Sequence, residues 1–321
     1  MDEQNRKVNF FEKKSTFVAL ATIFFALIIL FGIFYAGSTS KLTKNIEKKS
    51  EKVFVDPFKN IKLSAQSVFV WDIVNKTPLY AFNPDKKVPL ASVAKLMMAI
   101  TAIDLVPPYT VIDINKEFLA EEGDTGLLSQ ERWNLKNLLN FTLIVSSNDG
   151  ARAVASVIGS VINGNPGENL DIGRIEFVKK MNEKAQSFGL AQTYFYNENG
   201  LDTEDTLPGA VGSAKDMAML MEYILKNHPE IVESTKHGSF KIESLNNISH
   251  YAKNTNVDID KIPGVIASKT GYTNLAGGNL VIAMDPFLGR PIIISVFGST
   301  YDGRFDDISK IVDATMKYIE Q

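Results

Sequence analysis

A serine and a lysine stand three residues apart near the start of a long apolar segment, residues 88–106, VPLASVAKLMMAITAIDLV. The apolar pattern predicts a buried helix, and the spacing brings the side chains of Ser92 and Lys95 to one face of it. Serine needs a base to act as a nucleophile at neutral pH, and a lysine whose pKa is lowered by burial can be that base. The pair therefore indicates nucleophilic catalysis.

The spacing of this pair also fits simpler interpretations. Ser92 could cap a helix, and Lys95 could extend its amine to water. The same spacing recurs at residues 38–41, STSK, in a polar segment where we expect no chemistry.

Two further motifs combine polar side chains with a break in the chain. Residues 146–148, SSN, lie between two predicted helices, and residues 269–271, KTG, lie at the end of a predicted strand. Lys269 could bind a substrate carboxylate there, and Gly271 would let a ligand backbone approach the strand. The simpler alternatives are a helix-capping turn and a solvent-exposed lysine.

The elements that must position these motifs follow from the hydrophobic pattern. Strands are predicted at both ends of the chain, at 64–73, 78–82, 239–244, 264–271, 277–285 and 291–299. Helices are predicted between them and at the end, at 88–106, 132–145, 151–159, 174–190, 214–225 and 306–319. This order predicts a mixed α/β fold, in which an antiparallel sheet built from N- and C-terminal segments carries an inserted helical lobe. A cleft between lobe and sheet is the expected site.

The N-terminal region predicts a membrane anchor. Residues 17–36 contain no charge and are long enough to cross a bilayer, with a cleaved signal peptide as the alternative. We therefore predict a short cytoplasmic tail at 1–16, a transmembrane anchor at 17–36, a linker at 37–62 and a catalytic domain at 63–321. Four basic residues flank the span on each side, so their count does not decide the orientation. A short tail inside and a long domain outside is still the simpler topology, because long domains translocate largely regardless of charge.

Composition excludes several kinds of partner and cofactor. Residues 53–321 carry 25 Lys and Arg against 32 Asp and Glu, a net charge of −7, which argues against nucleic acid. The chain has no cysteine, and its histidines lack paired ligand spacing, so we predict no metal site. We interpret all three as surface residues: His228, His237 and His250.

In this order, the motifs SVAK, SSN and KTG resemble those of penicillin-binding proteins and class A β-lactamases. From about residue 64 to residue 318 the chain resembles the D-alanyl-D-alanine carboxypeptidase family, the low-molecular-weight penicillin-binding proteins. The stretches that carry this resemblance are FVKKMNEKAQSFGL, FYNENGLD, NTN, ASKTGYTNLAGG and GRFDDISKI. The resemblance implies a fold like that of β-lactamases and penicillin-binding proteins, and it implies neither a metal nor a cofactor.

The resemblance also implies a role for each motif residue. Ser92 would be the acylated nucleophile and Lys95 its base, while Ser146 would relay a proton to the leaving group. Asn148 would contact the substrate amide. In the third motif, Lys269 and Thr270 would bind the terminal carboxylate of the substrate, and Gly271 would allow the substrate to approach the strand closely. The backbone N–H groups of Tyr272 and Ser92 would form an oxyanion hole.

Two positions depart from the family pattern, Ser147 where glycine is frequent and Asn199 where histidine is frequent. No stretch resembles the β-rich C-terminal domain of many relatives, so we expect the N-terminal helix to provide membrane attachment.

The first functional hypothesis is a serine DD-peptidase at the bacterial cell membrane, with its catalytic domain extracytoplasmic. It would cleave the terminal D-Ala-D-Ala of peptidoglycan stem peptides through an acyl-enzyme on Ser92, with β-lactams as inhibitors; some relatives instead cut cross-links as endopeptidases. A serine β-lactamase is the alternative, although neither Glu168 nor Glu198 lies in a stretch like the β-lactamase glutamate loop. A catalytically silent binder of cell-wall peptide is the third hypothesis.

Overall fold

The computed structural model describes residues 17–37, 54–167 and 169–321, in two units of which the larger comprises residues 56–320. The predicted tail at 1–16, most of the predicted linker, the STSK segment at 38–41 and Glu168 lie outside the described residues.

Among its described residues, the N-terminal unit contains one helix, α1 (Phe17–Gly37). Its 21 residues are exposed, and it is long and apolar enough to cross a membrane. At a rise of about 1.5 Å per residue it spans roughly 30 Å, the thickness of a bilayer core. A helix is therefore confirmed where the sequence predicts one.

The larger unit contains twelve strands and six helices among its described residues. The strands are β1 (Ser67–Asp72), β2 (Thr77–Phe82), β3 (Val88–Pro89), β4 (Val111–Asp113), β5 (Arg132–Asn134), β6 (Tyr194–Phe195), β7 (Ala210–Gly212), β8 (Ser239–Glu243), β9 (Ser249–Lys253), β10 (Val265–Thr273), β11 (Gly277–Met284) and β12 (Ile292–Ser299). The helices are α2 (Lys95–Leu105), α3 (Leu135–Ile144), α4 (Asn148–Ile162), α5 (Leu170–Ser187), α6 (Ala214–Asn227) and α7 (Gly303–Ile319).

Five strands form one antiparallel sheet in the order β10–β11–β12–β1–β2. Because β1 and β2 come from the N-terminal part of this unit and the other three from its C-terminal part, the predicted sheet is confirmed. The strand predicted at 239–244 is not part of it, since β8 pairs with β9 in a separate two-stranded sheet. Strand β10, which carries the KTG motif, lies at one edge.

Both faces of the sheet are covered. Along β1, Phe69 packs into the core shared with helices α2 to α6, whereas Val68 and Val70 pack into a second core with α7. Strand β12 alternates in the same way, and all eight of its residues are buried. The period of two in a strand assigns neighbouring residues to opposite cores, so the sheet packs against the helical lobe on one face and against α7 on the other.

Two helix predictions were too long at their N-termini. Residues 132–134 form β5, which pairs with β4, and the side chain of Asn134 accepts a hydrogen bond from the Asn137 N–H, so that α3 begins at Leu135. In the segment 88–106, β3 and a 3₁₀ turn (Ala91–Ala94) precede α2. The apolar pattern did not reveal these boundaries because the pairing that sets them is tertiary.

The prediction that all three histidines lie at the surface was wrong for His250. Only 9% of its side chain is exposed, and its Nε2 lies 2.9 Å from Glu131 Oε1. Its ring packs on Trp133 and Phe141, because β9 places it over that part of the core. His237 is exposed and His228 is partly exposed.

Asp307 of α7 joins the first residues before β1 to the end of β12. Its buried carboxylate accepts hydrogen bonds from the N–H groups of Ser64 (3.0 Å) and Ala65 (2.9 Å) and from Ser299 Oγ (2.7 Å). We expect Asp307→Ala to lower the free energy of unfolding by about 3 kcal/mol, because these donors lose their acceptor. Denaturant titration of the full-length chain in detergent measures the loss.

The matched control is Asp306→Ala, since Asp306 is the exposed neighbour on the same helix. It should cost at most about 1 kcal/mol, the usual size of a charge effect at a helix N-terminus. Equal losses in the two variants would contradict this account of Asp307.

Candidate active site

The chain enters the site through the 3₁₀ turn that precedes α2. Ala91 has a left-handed backbone (φ 49°), which turns the chain from β3 into the helix. Ser92 is partly exposed and does not cap a helix. The N-cap position of the 3₁₀ turn is Leu90 and that of α2 is Ala94, and neither makes a side-chain capping bond. The Oγ of Ser92 lies 2.9 Å from Lys95 Nζ instead.

The amine of Lys95 is fully enclosed, so this side chain does not reach solvent. Besides Ser92 Oγ, its Nζ contacts Asn148 Oδ1 at 2.6 Å and the carbonyl oxygen of Asn199 at 2.8 Å. Three acceptors match the three donors of an ammonium group. Burial lowers the pKa of Lys95 to about 7, although the negative charges of Glu198 and Glu121 raise it.

The two adjacent serines in the turn between α3 and α4 have different roles. Ser147 caps α4, because its Oγ accepts the Gly150 N–H at 3.0 Å and also lies 2.7 Å from Thr125 Oγ1. Ser146 has a left-handed backbone (φ 60°), and its Oγ lies 2.8 Å from Lys269 Nζ. The turn therefore caps a helix and also presents a hydroxyl to the neighbouring strand.

The side-chain amide of Asn148 connects Lys95 to the loop that follows a second 3₁₀ segment, Lys116–Ala120. Its Oδ1 accepts from Lys95, and its Nδ2 donates to the carbonyl oxygen of Glu122 at 2.6 Å. The loop is held from a second side by the contact of Thr125 with Ser147. Both ends of this amide are engaged within the protein.

Strand β10 brings the third motif against the Ser92 turn. Lys269 is buried and donates to Ser146 Oγ and, at 2.8 Å, to the carbonyl oxygen of Thr270. A Cβ atom at Gly271 would lie 2.8 Å from the Leu90 carbonyl oxygen and 3.2 Å from the Ser92 nitrogen. Only glycine fits this approach without a shift of one of the two segments.

The residues on either side of Gly271 face different surroundings. Thr270 Oγ1 lies 2.6 Å from Thr255 Oγ1, while Tyr272 is 44% exposed and makes an edge-to-face ring contact with Tyr301.

The pKa of Lys269 lies well below its ordinary value. Burial is the largest cause, followed by the positive charges of Lys95 and Arg304. Each lysine thus disfavours a proton on the other.

Sequence reasoning missed the backbone that completes the Lys95 site. The carbonyl of Asn199 is the third acceptor, and it belongs to a turn in which Gly200 has φ 83°. A Cβ atom at Gly200 would overlap the carbonyl group of Ala91, so the turn packs directly on the Ser92 segment. The glycine within FYNENGLD was the available signal, but a backbone acceptor has no residue type of its own.

The three motifs therefore meet at one place in the fold. Lys95 links Ser92 to Asn148, Lys269 links the third motif to Ser146, and Gly271 brings β10 to the Ser92 nitrogen. A cleft of about 590 Å³ adjoins this cluster at Tyr272 and Glu122, and its other lining residues include Asp202, Glu204 and Asp205. A hydroxyl beside an amine of pKa about 7 can be deprotonated at neutral pH.

Comparison with known proteins gives consistent matches over the larger unit. A profile of the D-alanyl-D-alanine carboxypeptidase family matches residues 52–300. The D-alanyl-D-alanine carboxypeptidase DacA of Haemophilus influenzae is 28% identical over 258 residues, which are 78% of this chain and 61% of that protein. A D-alanyl-D-alanine endopeptidase of the same organism is 31% identical over 68% of this chain and 69% of its own length.

Two solved structures are similar to this one. Penicillin-binding protein D2 of Listeria monocytogenes, in an ampicillin-bound form, has a TM-score of 0.66 and 25% identity, covering 80% of this chain and 99% of that chain. A variant of the streptomyces K15 DD-transpeptidase has a TM-score of 0.70 at 21% identity, with coverage of 80% and 100%, and shows the fold alone.

The close approach of Gly200 to the Ser92 segment can be tested with a matched pair of glycine substitutions. Gly200→Ala should destabilise the protein and displace the Asn199 carbonyl, because Ala91 blocks the added Cβ. Gly164→Ala is the control, since Gly164 has a similar φ of 77° but nothing within 4 Å of a Cβ. We expect a loss of about 1 kcal/mol for the control and about 2 kcal/mol more for Gly200→Ala, measured by denaturant titration. Equal losses would show that the approach is unimportant.

Proposed function

The chain belongs to the D-alanyl-D-alanine carboxypeptidase family, and on that basis we propose that it is a serine DD-peptidase. It removes the terminal D-Ala from peptidoglycan stem peptides through an acyl-enzyme on Ser92. The observation that carries the proposal is the fully buried amine of Lys95, 2.9 Å from Ser92 Oγ, with a pKa of about 7.

In the first step, the proton of the Ser92 hydroxyl moves to the lone pair of neutral Lys95. A neutral amine has two N–H donors, which Asn148 Oδ1 and the Asn199 carbonyl accept, so its lone pair faces the Ser92 hydroxyl. Ser92 Oγ then bonds to the carbonyl carbon of the penultimate D-Ala. The developing oxyanion accepts from the backbone N–H groups of Ser92 and Tyr272.

In the second step the peptide C–N bond breaks, and the proton that Lys95 took from Ser92 passes to the leaving amine by way of Ser146, whose hydroxyl lies 2.8 Å from Lys269 Nζ. Water then attacks the ester, releases the shortened peptide and restores the Ser92 hydroxyl. Asn148 contacts the substrate amide after its Nδ2 leaves the Glu122 carbonyl.

Substrate binding supports the charge state that this chemistry requires. The terminal carboxylate of the substrate lies near Lys269 and Thr270, with the backbone of β10 at Gly271 alongside it. A carboxylate there favours a proton on Lys269, and because the two lysines repel each other, Lys95 is then favoured in its neutral form. Binding of the anionic substrate thus favours the neutral form of Lys95, which acts as the base.

The same geometry supports reaction with β-lactams, whose ring carbonyl takes the position of the peptide carbonyl. One relative of known structure carries ampicillin. The endopeptidase relative, at 31% identity, makes a DD-endopeptidase the second candidate, since only the leaving amine differs.

We also propose that α1 anchors the enzyme in the bacterial membrane as a single span, with the domain at 63–321 extracytoplasmic, the linker at 37–62 and the tail at 1–16 cytoplasmic. The length and apolar composition of α1 support the anchor. The chain spans about three fifths of the length of the Haemophilus carboxypeptidase that it matches.

Intact mass spectrometry after mixing the full-length chain with benzylpenicillin tests the nucleophile. We expect a persistent covalent adduct that Ser92→Ala abolishes, whereas Ser156→Ala, which changes a buried serine in α4, should keep it. An adduct that forms and clears within seconds would instead identify a β-lactamase. The absence of any adduct would favour the silent binder.

The pH dependence of acylation tests the role of Lys95. As pH falls through about 7, Lys95 takes up a proton and loses the lone pair that accepts the Ser92 proton. We expect the acylation rate to reach a plateau above this midpoint and to fall about tenfold per pH unit below it. Stopped-flow measurement with benzylpenicillin gives the profile, and a rate independent of pH between about 5 and about 9 would exclude Lys95 as the base.

A further inference from the structure

Glu198 is a fully buried carboxylate that the proposed reaction does not use. Its Oε2 accepts a hydrogen bond from Arg174 Nε at 2.8 Å, whereas its Oε1 is buried and has no hydrogen-bond partner among the described residues. An ionised carboxylate with one unfilled oxygen is costly to bury. Such a cost is common where a charge has a functional role.

The position of Glu198 relates it directly to the Lys95 amine. It precedes Asn199, whose carbonyl oxygen lies 2.8 Å from Lys95 Nζ. The next residue, Gly200, packs against the backbone of Ala91. The turn that carries Glu198 is therefore fixed on the Ser92 segment, and its carboxylate is held in one place relative to the amine.

Several charged groups surround Lys95, and they divide into two sets. Glu198 and Glu121 act on it as negative charges, and the charge of Lys95 in turn acts on Lys269 of β10. Arg174 contacts Glu198, and Arg152 lies 2.8 Å from Glu121. The neighbouring charges are Asp149 beside Glu121, Asp171 beside Arg152, and Arg304, which acts on Lys269. Of the two carboxylates, Glu198 is the fully buried one, whereas 15% of the Glu121 side chain is exposed.

We propose that Glu198, oriented by Arg174, is a positioning residue whose buried negative charge controls how readily Lys95 holds a proton, and therefore the pH range in which Ser92 is acylated. This inference rests on the proposed function. Complete burial alone would make the amine so weak a base that it could barely accept the serine proton. Glu198 opposes this loss, because a negative charge in a water-excluded site is weakly screened.

Arg174 keeps this effect within limits. Its guanidinium is partly exposed and binds one oxygen of Glu198, so the carboxylate is held and part of its field is neutralised. Burial lowers the pKa of Lys95, and Glu198 is the charge that opposes this lowering most strongly.

The test is the pH profile of benzylpenicillin acylation in the full-length chain. Glu198→Gln keeps the shape and removes the charge, and Glu198→Met also removes the buried oxygen that lacks a partner. We expect both to move the midpoint of the profile to lower pH by about one unit and to lower the plateau rate, because the base is weaker. Glu198→Asp keeps the charge and should stay closer to the parent midpoint than either neutral variant.

A matched control separates this effect from general destabilisation. Glu131 is also fully buried, and it contacts Trp133 Nε1 and His250. Glu131→Gln should lower stability without moving the midpoint. If a neutral Glu198 variant fails to fold, as judged by thermal unfolding, the other one carries the test.

The outcomes distinguish this inference from the proposed function. If the parent chain forms no adduct, the proposed function fails. If the parent chain is acylated but the neutral variants keep its midpoint, or move it to higher pH, the inference about Glu198 is overturned while the proposed function stands. A lower rate at every pH with an unchanged midpoint would identify Glu198 as a purely structural residue.

Discussion

The burial of one amine, that of Lys95, constrains the rest of the site. A primary amine enclosed in a protein must have its donors satisfied, and here the acceptors come from three separate parts of the chain: the 3₁₀ turn, the start of α4 and the Asn199 turn. These three segments can meet only if their backbones approach closely. The left-handed conformations of Ala91, Ser146 and Gly200 make that approach possible.

The helical lobe and the sheet contribute to the site in different ways. The lobe holds the amine and its acceptors, while the edge strand β10 adds a second buried lysine and a glycine that touches the nucleophile turn. Both cores pack against the same sheet, so the sheet brings β10 and its Lys269 to the lobe that holds Lys95. The positive charge of Lys95 contributes to lowering the pKa of Lys269 across this junction.

Long elements could be predicted from the sequence, because a sustained period of two or 3.6 reports burial directly. The motif residues were singled out by their types and order instead, and the structure brings them together. The two-residue strands β3 and β6 could not be predicted, since their pairing depends on distant partners. The burial of His250 depends on a hairpin laid over Trp133, and that of Glu198 on the packing of one turn. A local pattern contains no signal for either. The same holds for the Asn199 carbonyl, whose role is independent of its side chain.

The sheet order has a consequence for how the chain acquires its structure. Ser67 of β1 pairs with Phe297 of β12, so the central hydrogen-bonded ladder joins residues from opposite ends of the larger unit. At a synthesis rate of about 5–20 residues per second, β1 is made tens of seconds before its partner exists. Until β12 has been made, neither core has the complete sheet against which it packs. Such non-local pairing also makes folding slow. The polypeptide therefore stays incompletely folded until the C-terminal strands have been synthesised.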